Sequence, residues 1–477
     1  MATFSNSSLK FPSNPPYQPK PDLQKAVEPS ADRSKWGPWG SHDPAIFRDP
    51  VSKLYYTYSS EGGIRRSKDL ITWEYIGNAV EDIPEKSKKW NQSDSIGALA
   101  PDIIKVGKEY RLYSAAGTMP YGSHRSSLYL LVSSSPEGPF TPRDAVINSS
   151  NEDNPNAIDA NPVIEEETGE HYLIYGSFWG GIFALHLNPR NGLAYEEGFG
   201  TCIARRPKWA DCAIEGPYVK YNPDTGYYYL FVSYGSLKSD YNIRVGRSKT
   251  ITGPYLDPNG RDLTDVDDYK NEVGFMIACG YRFDGSQGWM APGHNSVLCD
   301  EDGSWYLVHH ARPYNFEEIN EYTMQVRRIL WTDDGWPVVS PECYAGEQEQ
   351  SITKEDLIGH YEFIKLTPTV PQGVLNSVSL DILSPQMQGV SSTRNSWALK
   401  IPSDAMGRVE LGGSMRGYWK LIDGHTLEIT YAHCTETYRL LPAWDWELNE
   451  PTIVLTGKDQ RGVACWAKKA DLPSVSK

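Results

Sequence analysis

Five segments of this chain repeat one design, and this repetition limits the available folds more than any other feature. Each segment has a polar or small residue, a short apolar strand, a turn rich in Gly, Asp or Pro, and then an aromatic strand. The repeat period is roughly 50 to 80 residues, which allows one small sheet and its loops per repeat. Helical periodicity is nearly absent, so the pattern predicts an all-β fold. The five segments open at His42, Ala100, Asp159, Glu215 and Gly293.

The repeats predict a five-bladed β-propeller over residues 36–350, in which five units of four antiparallel strands close into a ring. Closure leaves few exposed strand edges. The Pro-rich residues 1–35 are predicted to form an N-terminal arm, because proline disfavours helices and central strands. Short strands over residues 358–477 predict a small antiparallel β-barrel or sandwich. Its tryptophans are interpreted as core or interdomain residues, with sugar binding as the alternative: Trp444, Trp446 and Trp466.

Charge and cysteine usage restrict the partners and the compartment. A formal net charge of −15 argues against nucleic acid and anionic membranes as partners, since both attract Lys and Arg. The first residues lack a cationic start followed by an apolar run, so we predict a cytoplasmic protein, or a secreted one if a signal was trimmed. Seven cysteines without a Cys-x-x-Cys pair predict free thiols, and one bridge between Cys202 and Cys212 stays open.

The residues that open the five inner strands should converge on the propeller axis. They bring Asp43, Asp159 and Glu215 together with His294. Each carboxylate alone has a structural interpretation, because Asp before Pro starts turns and strand ends are usually solvated. Their recurrence at matching repeat positions favours chemistry instead. Glycoside hydrolysis needs one protonated acid and one ionised base or nucleophile, and a third carboxylate raises the acid's pKa by repulsion.

The chain resembles glycoside hydrolase family 43, and within it the two-domain endo-α-1,5-L-arabinanases of bacteria. The resemblance runs from about Gly40 to the end of the chain. Its specific parts are SHDPAI, APD, NAIDANPV, YGSFWGGIF, AIEGPY, YYYLFVSYG, GRSKTITGPY, APGHNSV and DDGWPVVSPECYAGE.

The resemblance implies a role for each axial residue. Asp43 is implied to be the general base that activates water, and Glu215 the general acid. Asp159 is implied to tune the pKa of Glu215 and to help hold the substrate. His294 matches a histidine that faces a calcium ion held largely through waters, since hard cations prefer oxygen ligands. The alternative for His294 is a hydrogen-bonded histidine without a metal.

The resemblance also implies a substrate wall. Ser177, Phe178 and Trp179 would line it, with Trp179 either stacking on arabinose or packing between blades. Arg312 resembles an arginine aimed at the sugar, since guanidinium can donate two parallel hydrogen bonds, and a surface ion pair is the competing interpretation. Ala100 is placed in the same binding groove. Many relatives have Trp directly before this Ala-Pro-Asp motif, so a stacking surface near the cleavage point is predicted to be absent here.

These observations predict a glycosidase that cleaves α-1,5-linked L-arabinan or neutral arabino-oligosaccharides with inversion, with calcium as a cofactor. The first alternative is an exo-acting α-L-arabinofuranosidase or a β-xylosidase on the same fold. The alternative from another class is a non-catalytic carbohydrate-binding propeller, which would lack one of the three carboxylates. The connections 117–127 and 149–159 are short, which leaves endo and exo attack both open. The oligomeric state is not predicted.

Overall fold

The protein consists of a β-propeller followed by a β-barrel, as seen in a computed structural model. The structure describes residues 8–13, 15, 40–93, 97–117, 125–150, 155–284, 286, 288–314, 322–368, 373–383, 407–431 and 434–470. Both short connections named above fall partly outside these residues. None of the helices in the described part of the chain is long and apolar enough to cross a membrane.

The first four blades are four-stranded antiparallel sheets whose strands follow one another in chain order. The first blade contains β1 (Ala45–Arg48), β2 (Tyr55–Tyr58), β3 (Gly63–Ser67) and β4 (Trp73–Asn78). The helix α1 (Glu85–Asn91) leads to the second blade, with β5 (Leu99–Val106), β6 (Glu109–Gly117), β7 (Ser126–Ser133) and β8 (Thr141–Ser149). The third blade contains β9 (Asn161–Ile164), β10 (His171–Tyr175), β11 (Ile182–Leu187) and β12 (Thr201–Ala204). The fourth contains β13 (Ile214–Asn222), β14 (Tyr227–Tyr234), β15 (Asn242–Ser248) and β16 (Phe275–Ala278).

The fifth blade departs from the predicted four strands, because its sheet has six. Its strands in chain order are β17 (Tyr281–Arg282), β18 (Trp289–Cys299), β19 (Trp305–Pro313), β20 (Thr323–Trp331) and β21 (Pro337–Val339). The sixth strand, from beyond the interdomain linker, pairs in parallel with β17. This extra pairing ties the second domain to the propeller through backbone hydrogen bonds.

The C-terminal domain is a closed barrel of eight antiparallel strands. Of the two predicted alternatives, a barrel or a sandwich, the structure therefore shows the barrel. It starts after the short helix α2 (Lys354–Leu357). The remaining strands of the chain are β22 (Gly359–Lys365), β23 (Leu375–Asn376), β24 (Val378–Leu383), β25 (Gly407–Leu411), β26 (Met415–Leu421), β27 (Thr426–Tyr431), β28 (Cys434–Asp445), β29 (Glu450–Asp459) and β30 (Ala464–Ala470). Of these, β23 is the sixth strand of the fifth blade, and the other eight form the barrel. The pairing of β22 with β30 closes the ring, and apolar side chains such as Trp419 fill its interior.

The two domains share one continuous core. Trp466 lies in a cluster with propeller residues, and its ring meets Tyr281 edge to face at 5.4 Å. Trp446 donates its indole N–H to the carbonyl of Cys343 at 2.7 Å, and Trp444 packs in the same small cluster. The three tryptophans are therefore interdomain packing residues. An all-β chain with a five-bladed propeller and a C-terminal barrel confirms the predicted fold class.

A short stretch of the predicted N-terminal arm is described, and it lies on the barrel. The backbone of Lys10 exchanges two hydrogen bonds with the side chain of Gln350, at 2.9 and 2.6 Å. Leu9 and Phe11 pack against the barrel core. The rest of the arm, apart from residues 8–13 and 15, lies outside the described residues.

Ring closure places the inner strands side by side. The Ser296 hydroxyl on β18 donates to the carbonyl of Pro44 at 2.8 Å and accepts from the amide of Ile46 at 2.9 Å, which joins the last blade to the first. Asn161 at the start of β9 accepts from the amide of Val219 at 2.8 Å and donates to Asp102 at 2.8 Å. These side-chain hydrogen bonds join inner strands of all five blades around the axis.

Candidate active site

The backbone turns abruptly where each inner strand opens. Asp43, Ala100, Asp159 and His294 have left-handed φ angles of 54°, 39°, 61° and 48°, and Gly216 beside the catalytic candidate Glu215 has 56°. Non-glycine residues in this region are strained by about 1–3 kcal/mol each and persist where the surrounding structure enforces them. The β5–β6, β13–β14 and β18–β19 pairings shift register at these points. The bulged turns interrupt regular pairing and present the opening residues at the axial pit.

Asp43 is held by groups from three blades. One carboxylate oxygen accepts a short hydrogen bond from the Ser60 hydroxyl, which in turn accepts from the amide of Ala100 at 2.9 Å. Its other oxygen lies 3.0 Å from Nδ1 of His294 and 3.2 Å from Nε2 of His42. Asp43 is 8% exposed. These contacts fix the position and orientation of the Asp43 carboxyl group in the pit.

The imidazoles near Asp43 are kept neutral by burial. Burial lowers the pKa of His294, against the opposing effect of the Asp43 and Glu215 carboxylates. Burial also lowers the pKa of His310 well below its usual value, with His42 and His294 adding to the effect. The amide of Asp43 donates to Nδ1 of His310 at 3.2 Å, so Nδ1 carries no proton. Burial therefore disfavours a positive charge on either of these two rings.

Glu215, which is half-buried, and the buried Asp159 form an interacting carboxyl pair. Burial raises the pKa of Glu215, while His294 and hydrogen bonds from Ser177 and Tyr241 oppose the rise. Burial, and then repulsion from Glu215 and Asp43, raises the pKa of Asp159 well above its usual range, although Asp159 accepts from the amide of Gly216 at 3.0 Å. Two interacting acids of this kind titrate as a pair. The pair therefore holds a proton at higher pH than isolated carboxyls would.

Ser177 and Ala100, both placed in the binding groove by the sequence, lie among the polar groups of the pit. The Ser177 hydroxyl donates to Oε2 of Glu215 at 2.8 Å, and the backbone of Ala100 reaches Asp43 through Ser60. Both residues are buried, and their hydrogen bonds lead to the catalytic candidates Glu215 and Asp43.

Phe178 and Trp179 are partly exposed beside the strand that carries Glu215, whereas Arg312 is buried. Phe178 and Trp179 follow β10 and are partly exposed, and the amide of Phe178 donates to the carbonyl of Ile214 beside Glu215 at 2.7 Å. Arg312, at the end of β19, is only 2% exposed and donates to the carbonyl of Lys238 at 3.2 Å. A surface ion pair does not describe Arg312.

The sequence analysis missed four residues that contact or adjoin the predicted acids and base. Ser60 follows β2, Tyr241 precedes β15, and His310 lies on β19, so none opens an inner strand. His42 does open a repeat, but only its neighbour Asp43 was predicted to be a site residue. A signal was available for His310, because the run His309-His310 interrupts an otherwise apolar strand.

A small cavity lined by axial residues is the place where the predicted calcium would lie. Its volume is about 20 Å³, and Asp43, Asp102, Asp159, His294 and Asn295 are among its lining residues. Both amide atoms of the buried Asn295 lack a hydrogen-bond partner in the described part of the chain. Oxygen donors beside a neutral imidazole fit a hard cation, and the space suits one ion or one water.

Comparison with known proteins identifies the family. The sequence pattern of glycosyl hydrolases family 43 matches residues 38–337, and that of a C-terminal lipocalin-like domain matches residues 341–467. The chain belongs to glycosyl hydrolases family 43. This membership confirms the resemblance and makes the protein a glycosidase.

Three relatives of this family 43 enzyme illustrate the similarity. The extracellular endo-α-(1→5)-L-arabinanase of Thermotoga petrophila is 29% identical over 473 residues, 90% of this chain and 93% of the relative. The extracellular exo-α-(1→5)-L-arabinofuranosidase of Cellvibrio japonicus is 30% identical over 321 residues, 62% of this chain and 86% of the relative. The crystal structure of the Thermotoga petrophila endo-1,5-α-L-arabinanase with TRIS matches with a TM-score of 0.77 at 27% identity, covering 91% of this chain and 99% of that one.

The predicted cytoplasmic location is wrong by this comparison, because both sequence relatives are extracellular enzymes. Free thiols do not by themselves indicate a reducing compartment. All seven cysteines are indeed unpaired, but Cys279, Cys343 and Cys465 are buried. Burial raises the pKa of Cys279 to about 12, so this thiol stays protonated and inert without a reducing compartment.

Proposed function

We propose that this family 43 glycosidase hydrolyses α-1,5-linked L-arabinan and its oligosaccharides with inversion of configuration. The observation that carries the proposal is the placement of Asp43, hydrogen-bonded by Ser60, in one pit with Glu215 and Asp159, whose pKa values are both raised by burial. Similarity to arabinanases over nine-tenths of the chain supports the choice of arabinan over xylan. We propose that the enzyme, like those relatives, is secreted.

The residues divide the reaction between them. Asp43 accepts a proton from a water whose oxygen forms the new bond to the anomeric carbon. Glu215 gives its proton to the departing O5 of the next arabinose as the glycosidic bond breaks. Water enters from the face opposite the leaving group, which inverts the configuration. After the reaction Asp43 holds a proton and Glu215 is ionised, and exchange with solvent restores both.

Asp159 acts through Glu215 in this proposal. Its carboxyl adds negative potential beside the acid, which favours the protonated form of the pair. It also accepts from the amide of Gly216, directly after Glu215, and so anchors the strand that carries the acid. Nδ1 of His294 lies 3.0 Å from Asp43, and a Cβ at Gly216, directly after Glu215, would collide with His294, so this histidine lies between the base and the acid candidates.

We further propose that the axial cavity takes a calcium ion. Asp43, Asp159, His294 and the unpartnered Asn295 are the residues that would hold it. A bound cation would offset the negative charge of the three carboxylates. Metal analysis of the purified protein and activity after chelator treatment test this proposal, and a metal-free protein with full activity would refute it.

A chromatographic time course with linear α-1,5-arabinan and its short oligomers tests the proposed function. A ladder of oligosaccharides early in the reaction would establish endo attack. Release of arabinose alone would establish the exo-acting alternative. If neither substrate is cleaved, the arabinan proposal fails, and xylo-oligosaccharides and aryl glycosides become the substrates to test. A protein that binds arabinan without cleaving any of these glycosides would be the non-catalytic binding propeller.

A further inference from the structure

A second, larger pocket lies where the propeller meets the barrel. Its volume is about 440 Å³, within the range of small-molecule sites. Arg282 and Asp284, from β17 and the turn after it, form one side. His360 and Glu362 of β22 and Ser379 of β24 form the other. We propose that this pocket is a distal binding site for the arabinan chain, built jointly by both domains. The inference rests on the proposed function.

The pocket is an ordered structure with fixed polar groups. Glu362 is 9% exposed, and it accepts from the amide of Asp284 at 2.6 Å and from the Ser377 hydroxyl at 3.2 Å. Asn376 accepts from Nε of Arg282 at 2.9 Å. Hydrogen bonds thus cross from propeller to barrel on two sides of the pocket. Such crosslinks hold its walls in place before any ligand arrives, which reduces the ordering that binding requires.

The lining chemistry suits a neutral hydroxylated ligand. A guanidinium and two carboxyl groups face the same space, so a phosphate would meet Asp284 and Glu362, and a cation would meet Arg282. Sugar hydroxyls both donate and accept hydrogen bonds, and such a mixed set can satisfy them without net charge. The walls are more polar than those of a typical site for apolar ligands. This balance favours a sugar chain over an ion or a lipid.

The position of the pocket connects it to the catalytic pit. The Arg282 guanidinium lies 5.6 Å from the centre of the Tyr314 ring, and Tyr314 follows Arg312 by two residues on the β18–β19 hairpin. The amide of Tyr314 donates to the carbonyl of Gly288, at the end of this hairpin. Trp289, directly after Gly288, precedes His294 by five positions on β18, which is at most about 17 Å at roughly 3.3 Å per residue. A chain of several sugars can span a distance of this size.

Chain-length dependence is the decisive measurement. Ser379 pairs with Glu362 across the barrel surface, so Ser379→Trp should fill the pocket with little effect on the barrel interior. We expect KM for linear arabinan and arabinohexaose to rise about fivefold, the loss of one or two hydrogen bonds, while arabinotriose kinetics stay unchanged. Arg282→Met should have the same selective effect. Ser414→Trp, on the exposed β25–β26 turn of the same barrel, is the matched control.

Binding without turnover separates this inference from the proposed function. Three proteins are compared by affinity electrophoresis in gels that contain linear arabinan. They are the Glu215→Gln variant alone, the same variant with Ser379→Trp, and the same variant with Ser414→Trp. Retardation that is weakened by Ser379→Trp, but not by Ser414→Trp, supports the distal site even if the parent proves not to cleave arabinan. Equal retardation of all three proteins, or none at all, overturns it. Unchanged KM values with active parent enzyme would also overturn it, and the proposed function would then stand alone.

Discussion

The hydrogen bond from Ser177 to Glu215 gives the sharpest test of the acid assignment. The hydroxyl lies 2.8 Å from Oε2, and Ser177 is 3% exposed, so no bulk water can replace it freely. A donor of this kind stabilises the carboxylate over the neutral acid. Ser177→Ala should therefore make ionisation of Glu215 harder and keep the acid protonated to higher pH.

The size of the effect follows from the strength of such bonds. A hydrogen bond to a charged group contributes about 1.5–3 kcal/mol, and about 1.4 kcal/mol corresponds to a tenfold change in an ionisation constant. The lower figure is appropriate because Tyr241 also faces Glu215 and remains in place. We expect the basic limb of the kcat/KM profile to move upward by about one pH unit, since that limb reports the acid of the free enzyme.

The assay is kcat/KM for arabinotriose measured from pH 4 to 10. Ser248→Ala is the matched control, because Ser248 is buried like Ser177 but lies in the fourth blade, where its hydroxyl accepts from the amide of Thr250 in a local turn at 3.2 Å. Its profile should overlay that of the parent. A Ser177→Ala basic limb that stays in place or moves to lower pH would refute the assignment of Glu215 as the proton donor.

Three further outcomes are expected. Asp43→Asn and Glu215→Gln should each lower kcat/KM for arabinan by about 10²–10⁴, and an aryl arabinoside with a good leaving group should restore activity only to Glu215→Gln. Burial raises the pKa of Asp159 above its unfolded value, so its stabilising contribution is present at low pH and lost as pH rises. Asp159→Asn should accordingly melt like the parent near pH 4 and a few degrees higher near pH 8, and an equal shift at both pH values would contradict this. Lys468→Met should lower the free energy of unfolding, measured in urea, by about 3–5 kcal/mol. The change leaves the buried carboxyl cluster of Glu342, Asp445 and Glu447 without its cation. The control Lys53→Met removes a surface ion pair and should cost less than about 1 kcal/mol.

The repeat pattern located the fold and its chemical groups because both depend on the same positions. Asp43, Asp159 and Glu215 open inner strands, and ring closure necessarily brings such residues together. Their roles as base, modulator and acid remain predictions. The sixth strand of the fifth blade could not be predicted from the sequence, because β23 lies after the linker and pairs in parallel with β17. Two residues of strand carry no periodicity that a sequence pattern can detect.

Supporting residues escaped prediction for a related reason. Ser60 and Tyr241 lie at the returns of hairpins, where serine and tyrosine are common and uninformative. Only the folded ring shows that the Ser60 hydroxyl joins Asp43 to the backbone of Ala100 in the next blade. Burial is also set by tertiary packing, which is why Arg312 could be taken for a surface residue from sequence and proves to be enclosed.

Left-handed backbone conformations occur at the pit in reactive and unreactive residues alike. Strain recurs at Asp43, Asp159 and His294, which carry reactive groups, and equally at Ala100 and Ala291, which carry none. If catalysis required the strain, the two alanines would have no reason to adopt it. The turn is therefore a property of how each inner strand enters the axis, imposed by closure on every blade. Function then depends only on which side chain occupies each turn. Three turns hold or adjoin carboxyls and one holds an imidazole, while Ala100 contributes its amide to the base through Ser60. The same scaffold with apolar residues at these turns would close just as well and have no acid or base.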